Sequence, residues 1–175
     1  MNSQKTRRLA LDAMLAAMYV VLSLVSVPMP TMKITLDSLP ILVGAALFGP
    51  IDGMAVGLVG SFINQCTSQY GLTATTILWI LPAGVRGLMV GLYAKRHDFS
   101  MTTAQTVFIT VISALVVTVL NTLVMYIDSW VYHYAYAAVL LTVVLRVIVG
   151  IVTAVVFSLL LPALLKPLRR YLSNR

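Results

Sequence analysis

Glutamate is absent from this 175-residue chain, and five aspartates supply all of its negative side-chain charge. Cys66 is the only cysteine, which excludes an intrachain disulfide and a cysteine-rich metal cluster. The sequence also lacks a His-x-x-x-His spacing, a Gly-rich phosphate loop and paired carboxylates on one helix face. We therefore expect no metal, no cofactor, no ATPase site within this chain and no enzymatic activity.

Charged residues are scarce as well, at 10% of the chain, while 60% of the residues are hydrophobic. Soluble domains are nearer one quarter charged. The net charge of +7 does not indicate a nucleic-acid partner, because the basic residues lie at the ends of apolar runs and form no contiguous stripe. The composition predicts an all-α integral membrane protein with one transmembrane domain over residues 1–175.

Four apolar stretches are long enough to cross a bilayer, which takes about 20 residues as a helix. A loop at Met29–Ser38 follows the first of them, and a polar-aromatic loop at Asp128–Tyr134 follows the third. The predicted helices are Leu9–Val27, Thr75–Tyr93, Thr103–Ile127 and Ala135–Leu161.

The segment Leu39–Asn64 can form one long helix or two short helices that turn at Phe48–Gly53. The Gly-Pro pair in that turn favours two helices, because proline is suited to the first position of a helix. Two helices give six crossings with both termini on the cytoplasmic side, and Lys33 is then the only basic residue opposite nine others. Those nine are Lys5, Arg7, Arg8, Lys95, Arg96, Lys166, Arg169, Arg170 and Arg175.

Two arginines fall near the centre of predicted membrane helices. Arg86 and Arg146 each lie about 16 Å into their helix, at about 1.5 Å per residue. All five aspartates lie near helix ends, so we expect no acidic residue at that depth. Intramembrane charge indicates a functional site that binds an anion. The alternative is structural, with each guanidinium donating to backbone carbonyls at a helix break.

Other polar and aromatic residues are predicted at midplane or in the outer half of the bundle, where an extracellular ligand can meet them. The aromatic residues can instead form a belt at the lipid head groups. The candidate substrate-binding residues are Arg86, Arg146, Asn121, Asn64, Trp79, Tyr70, Lys33, Trp130 and Tyr126.

Small residues recur four positions apart on three predicted helices, a spacing that lets membrane helices approach closely. The pairs are Ala13 and Ala17, Gly53 and Gly57, and Gly87 and Gly91.

Several segments together resemble the substrate-binding S components of energy-coupling factor (ECF) vitamin transporters, over nearly the whole chain. They are Ala13-Met14-Leu15-Ala16-Ala17, Leu39-Pro40-Ile41, Leu47-Phe48-Gly49-Pro50, Thr76 to Ala83, Arg86-Gly87-Leu88, Leu120-Asn121-Thr122-Leu123 and Arg146. The Phe-Gly-Pro turn, the Leu-Asn-Thr stretch and Arg146 look most like the folate group. Riboflavin, thiamine, a pyridoxine-like vitamin and a queuosine precursor are the alternative ligands.

The resemblance implies a multi-pass subunit of the bacterial cell membrane that binds its vitamin from outside and topples in the bilayer to deliver it. It implies a complex with a transmembrane T subunit and two ATPase subunits. Helix 1 would meet that partner through Ala10, Ala13 and Ala17. A lipid-modifying enzyme and a membrane scaffold are the competing hypotheses, and the sequence offers the enzyme no good nucleophile.

Overall fold

The computed structural model describes residues 3–28, 33–68, 71–133 and 136–173. Within these ranges six α-helices form a bundle, and a short two-stranded antiparallel ribbon joins the first two helices. The elements are α1 (Ser3–Leu24), β1 (Ser26–Pro28), β2 (Lys33–Thr35), α2 (Ser38–Phe48), α3 (Pro50–Thr67), α4 (Thr76–Arg96), α5 (Thr103–Tyr132) and α6 (Tyr136–Ser173).

The helix break at Gly49 confirms the two-helix interpretation of Leu39–Asn64. Gly49 has φ 117°, a conformation that glycine adopts without strain, and Pro50 begins α3 immediately afterwards. The Phe99 ring lies 3.6 Å from the position that a Cβ on Gly49 would take. The turn between α2 and α3 therefore packs against the turn between α4 and α5.

The predicted helix ends were wrong at several places. The first helix begins at Ser3, earlier than predicted. It ends at Leu24 because the next residues, Ser26–Pro28, form a strand that pairs with Lys33–Thr35 in the predicted loop. Charged and aromatic side chains do not stop the later helices. The α4 helix includes Lys95 and Arg96, α5 continues through most of the predicted loop to Tyr132, and α6 continues past Leu161 to Ser173.

Glycines bring α3 and α4 into direct backbone contact. A Cβ on Gly87 would lie 2.1 Å from the Gly53 carbonyl oxygen, and one on Gly57 would lie 2.5 Å from the Ala83 carbonyl oxygen. A Cβ on Gly91 would lie 2.4 Å from the Cα of Pro50. Four-residue glycine spacing therefore does position these two helices, as the sequence predicts.

One end of the bundle gathers the chain segments that carry basic residues. Arg8 on α1 donates to the Phe48 carbonyl and lies 3.3 Å from the Asp52 carboxylate. Leu165 of α6 and Met101, which lies in the turn before α5, belong to the same buried cluster. The start of α1, the two turns and the last part of α6 thus meet at this end.

Three helical segments in the described part of the chain are long and apolar enough to cross a membrane: Thr76–Arg96, Thr103–Tyr132 and Val143–Leu168. Ser38–Phe48 is a shorter apolar helix. Six crossings and cytoplasmic termini remain predictions that rest on the distribution of basic residues.

Substituting Gly87 with alanine is expected to lower the midpoint of thermal unfolding in detergent by several degrees, because the added methyl group overlaps the Gly53 backbone. Gly44→Ala is the matched control. Its added Cβ meets the flexible end of Leu15 at 3.1 Å, so it should be tolerated. Equal midpoints for the two variants would contradict direct backbone contact between α3 and α4.

Candidate functional site

A cavity of about 260 Å³ lies among α4, α5 and α6, with further walls from α1, α3 and the segment before α2. Its lining is mixed, with charged, hydroxyl, amide and aromatic side chains. The lining residues are Tyr19, Thr35, Asp37, Ser38, Ser61, Trp79, Pro82, Ala83, Arg86, Ala114, Val117, Thr118, Asn121, Arg146, Val149, Gly150, Thr153 and Phe157.

Three helices each present one regular face to this cavity. The lining positions are spaced by three, four and seven residues, which places them on one side of an α-helix. They are Trp79, Pro82, Ala83 and Arg86 on α4; Ala114, Val117, Thr118 and Asn121 on α5; and Arg146, Val149, Gly150 and Thr153 on α6. This periodicity is the sequence signal by which Thr118 and Thr153 could have been found.

Arg86 lies in the interior of the bundle with 5% of its surface exposed. Its guanidinium carbon sits 5.2 Å from the centre of the Phe157 ring, within the range of a cation–π contact. Its Nε atom is buried and has no hydrogen-bond partner among the residues that the structure describes. Leaving a buried donor without a partner costs free energy, so this atom needs an explanation.

Arg146 occupies a different level of the same cavity. Its guanidinium carbon lies 5.6 Å from the centre of the Trp79 ring. Phe157, whose ring Arg86 covers, lies about 16 Å further along α6 than Arg146, at about 1.5 Å per residue. The two cations therefore sit one above the other, each against an aromatic face.

Asp37 brings an acidic residue into the cavity of the arginines, although the sequence predicted none at their depth. It precedes α2 and lines the cavity together with Arg86. The Ser38 hydroxyl donates to its Oδ1 atom at 3.2 Å. Burial raises the pKa of the Asp37 carboxyl, while hydrogen bonds from Thr35 and Ser38 and the charge of Arg86 oppose that shift. The sequence did not predict that Asp37 lines the cavity, because the residue lies just before the start of a helix.

The structure brings four of the predicted site residues together, namely Arg86, Arg146, Trp79 and Asn121. Asn64 lies elsewhere and accepts a hydrogen bond from Ser23 at 2.9 Å, which joins α3 to α1.

Tyr126 and Trp130 lie on the outer part of α5, 54% and 76% exposed, and are not among the cavity-lining residues of the described chain. Tyr126 lies in a helix as predicted, and Trp130, predicted in a loop, is also helical because α5 continues to Tyr132. Lys33 lies in β2 but its side chain is not described, and Tyr70 lies outside the described residues.

The predicted docking residues share an outward face of α1. Ala10, Ala13 and Ala17 are exposed, whereas Ala16 and Tyr19 on the other side are buried. The neighbouring Met14 and Met18 are also more than half exposed. A smooth apolar surface is thus present where the sequence predicts contact with a partner helix.

A family model described as the S component of an ECF-type riboflavin transporter matches residues 3–167. The chain belongs to this family. The match confirms the resemblance to ECF S components, and it places the protein among membrane transport subunits.

Relatives of this S component include UPF0397 proteins of Streptococcus pneumoniae strains CGSP14 and Hungary19A-6. They are 38% and 37% identical to it over 82 residues, which is 46% of this chain and 43% of each relative. The matched part is therefore less than half the length of these curated relatives.

Two solved structures share the fold of this S component. An S component of a bacterial ECF transporter has a TM-score of 0.69 and 21% identity, covering 96% of this chain and 98% of that one. FolT bound with folic acid has a TM-score of 0.59 and 22% identity, covering 85% and 90%. At these identities the comparison establishes the architecture.

The cavity charge predicts that iodide quenches Trp79 fluorescence more strongly than caesium does. In a Trp130→Phe background Trp79 is the only tryptophan, and Arg146 against its ring should raise the local anion concentration. Caesium is the weaker quencher of indole, so the ratio of the iodide to the caesium quenching constant is compared with that of exposed Trp130 in the Trp79→Phe control. We expect the ratio for Trp79 to be about twofold above that of the control, and to fall to the control value after Arg146→Gln. Equal ratios for Trp79 and Trp130 would contradict an accessible cationic cavity.

Proposed function

We propose that this S component binds folate, a vitamin with a flat ring and carboxylates, from outside the bacterial cell membrane. It then delivers the vitamin inward as part of an ATP-driven ECF importer. Membership of the S-component family supports the transport role. The cavity that contains Arg86, Arg146, Trp79 and Asn121 supports the choice of ligand.

The observation that carries the proposal is the pair of guanidinium groups in one small cavity. Arg86, Arg146 and Asp37 are its ionisable acidic and basic side chains among the described lining residues, so one positive charge is in excess. A carboxylate balances that charge and accepts from guanidinium donors. The same excess disfavours a cationic vitamin such as thiamine.

Riboflavin is the second candidate, favoured by the description of the family model. Its flat ring system suits the aromatic wall, and its ribityl hydroxyls can pair with Thr118, Asn121 and Thr153. Riboflavin carries no anionic group, however, and would leave the cationic excess uncompensated. A scaffold role, in which the arginines only brace helices, is weakened because Arg86 Nε donates to no described carbonyl.

Transport requires partners that hydrolyse ATP. S components of this family pair with a T transmembrane subunit and two ATPase subunits, and the same partners are proposed here. Ala10, Ala13 and Ala17 supply a surface on α1 that a T-subunit helix can approach closely. The resemblance to the family implies that the S component then topples in the bilayer and carries its cavity to the cytoplasmic side.

Arg146→Gln is expected to weaken folate binding at least about tenfold, because a charge-assisted hydrogen bond to a carboxylate is replaced by a neutral one. Isothermal titration of the purified protein with folate and with riboflavin measures this. Trp130→Phe, outside the cavity, should bind as the wild type does. Unchanged folate affinity in Arg146→Gln would contradict the anion-binding role. Tight binding of riboflavin but not folate by the wild type would favour the second candidate.

Ala13→Trp is expected to reduce copurification with the T and ATPase subunits severalfold while leaving ligand affinity unchanged, because a large side chain blocks close helix approach. Leu115→Trp is the matched control, since Leu115 is also exposed but lies on α5. Co-expression and affinity purification measure the recovered complex. Full recovery with Ala13→Trp would argue against docking through this face.

A further inference from the structure

Asp37 stands where an aspartate ordinarily caps a helix, yet its side chain makes no capping hydrogen bond to α2. Aspartate is favoured at this position because its carboxylate accepts from the first free backbone N–H groups. Here Asp37 lines the cavity that contains both arginines. Apart from the nearby Ser38 backbone N–H, no helix-capping contact explains the residue.

Ion pairing does not explain Asp37 either. The Arg8–Asp52 ion pair lies at the other end of the bundle and does not include Asp37. Arg86 influences Asp37 through its charge without forming such a pair. The Ser38 hydroxyl donates to one oxygen of the carboxylate, and the Thr35 hydroxyl and the Ser38 backbone N–H are the other donors near it. A carboxylate has about four acceptor positions, so capacity remains for a ligand.

The cavity is consequently dipolar, with an acidic group contributed by the segment before α2 and basic groups contributed by α4 and α6. A ligand that matches it presents hydrogen-bond donors at one end and an anion at the other. A purely anionic ligand would meet repulsion at Asp37, and a neutral acceptor would leave the carboxylate unpaired, which is costly in a confined site.

We propose that Asp37 is a specificity-determining residue that accepts two adjacent N–H donors from the ring of the substrate. The matching ring class is a fused 2-amino-4-oxopyrimidine, whose ring N–H and exocyclic amino group lie side by side and fit the two oxygens of one carboxylate. An isoalloxazine ring presents one N–H between two carbonyl oxygens, and those oxygens would face the carboxylate. This inference rests on the proposed function and identifies the feature that separates a pterin-type vitamin from a flavin.

The test compares the affinity of the full-length purified protein for folate and for the analogue in which an oxo group replaces the 2-amino group. Wild-type protein should prefer folate at least about tenfold, the effect of losing one charge-assisted hydrogen bond. Asp37→Asn should weaken folate binding by about tenfold or more and abolish the preference, because the amide supplies one acceptor and one donor group. Asp98→Asn, an exposed aspartate outside the cavity, should retain wild-type affinity and preference.

The outcomes separate this inference from the proposed function. If the wild type binds folate but shows no preference over the oxo analogue, the role of Asp37 is overturned while folate binding stands, whether or not Asp37→Asn folds. An undiminished preference in folded Asp37→Asn overturns it equally. If the wild type binds riboflavin and neither pteridine, the folate proposal and this inference both fail.

Discussion

Holding a guanidinium group inside an apolar bundle is the constraint on which this structure depends. An arginine at the centre of a membrane helix costs about 3 kcal/mol even on scales that allow relaxation. Arg86 is buried against the face of Phe157, and Asp37 contributes opposite charge from the segment before α2. These contacts offset the cost in part, while the Nε atom of Arg86 has no described hydrogen-bond partner.

The α4 helix meets this constraint because it has two faces with different composition. Gly87 contacts the backbone of α3, and Gly91 contacts the turn between α2 and α3. These close backbone contacts fix the position of α4. Trp79 and Arg86 face the cavity, seven residues apart on the other side. Arg86 therefore extends into the cavity from a helix, α4, whose position is fixed by close packing. The exposed alanines of α1 lie on the side of that helix opposite its buried residues Ala16 and Tyr19.

Patterns local to one segment were predictable from sequence, and contacts between distant segments were not. The Gly49-Pro50 break and the glycine spacing each follow from neighbouring residues. Asp37 escaped prediction because only the folded chain shows that a residue before α2 shares a cavity with α4. Trp130 was predicted in a loop because its neighbours are polar and aromatic, whereas α5 stays helical to Tyr132.

The central claim is that the buried cations of this S component exist to bind an anionic vitamin. Mass spectrometry of the small molecules that copurify with the wild-type protein and with Arg86→Met tests it most directly. The account predicts a carboxylate-bearing compound in stoichiometric amount on the wild type and its loss from the folded variant. A neutral compound, or an anionic one retained equally by both proteins, would contradict the claim.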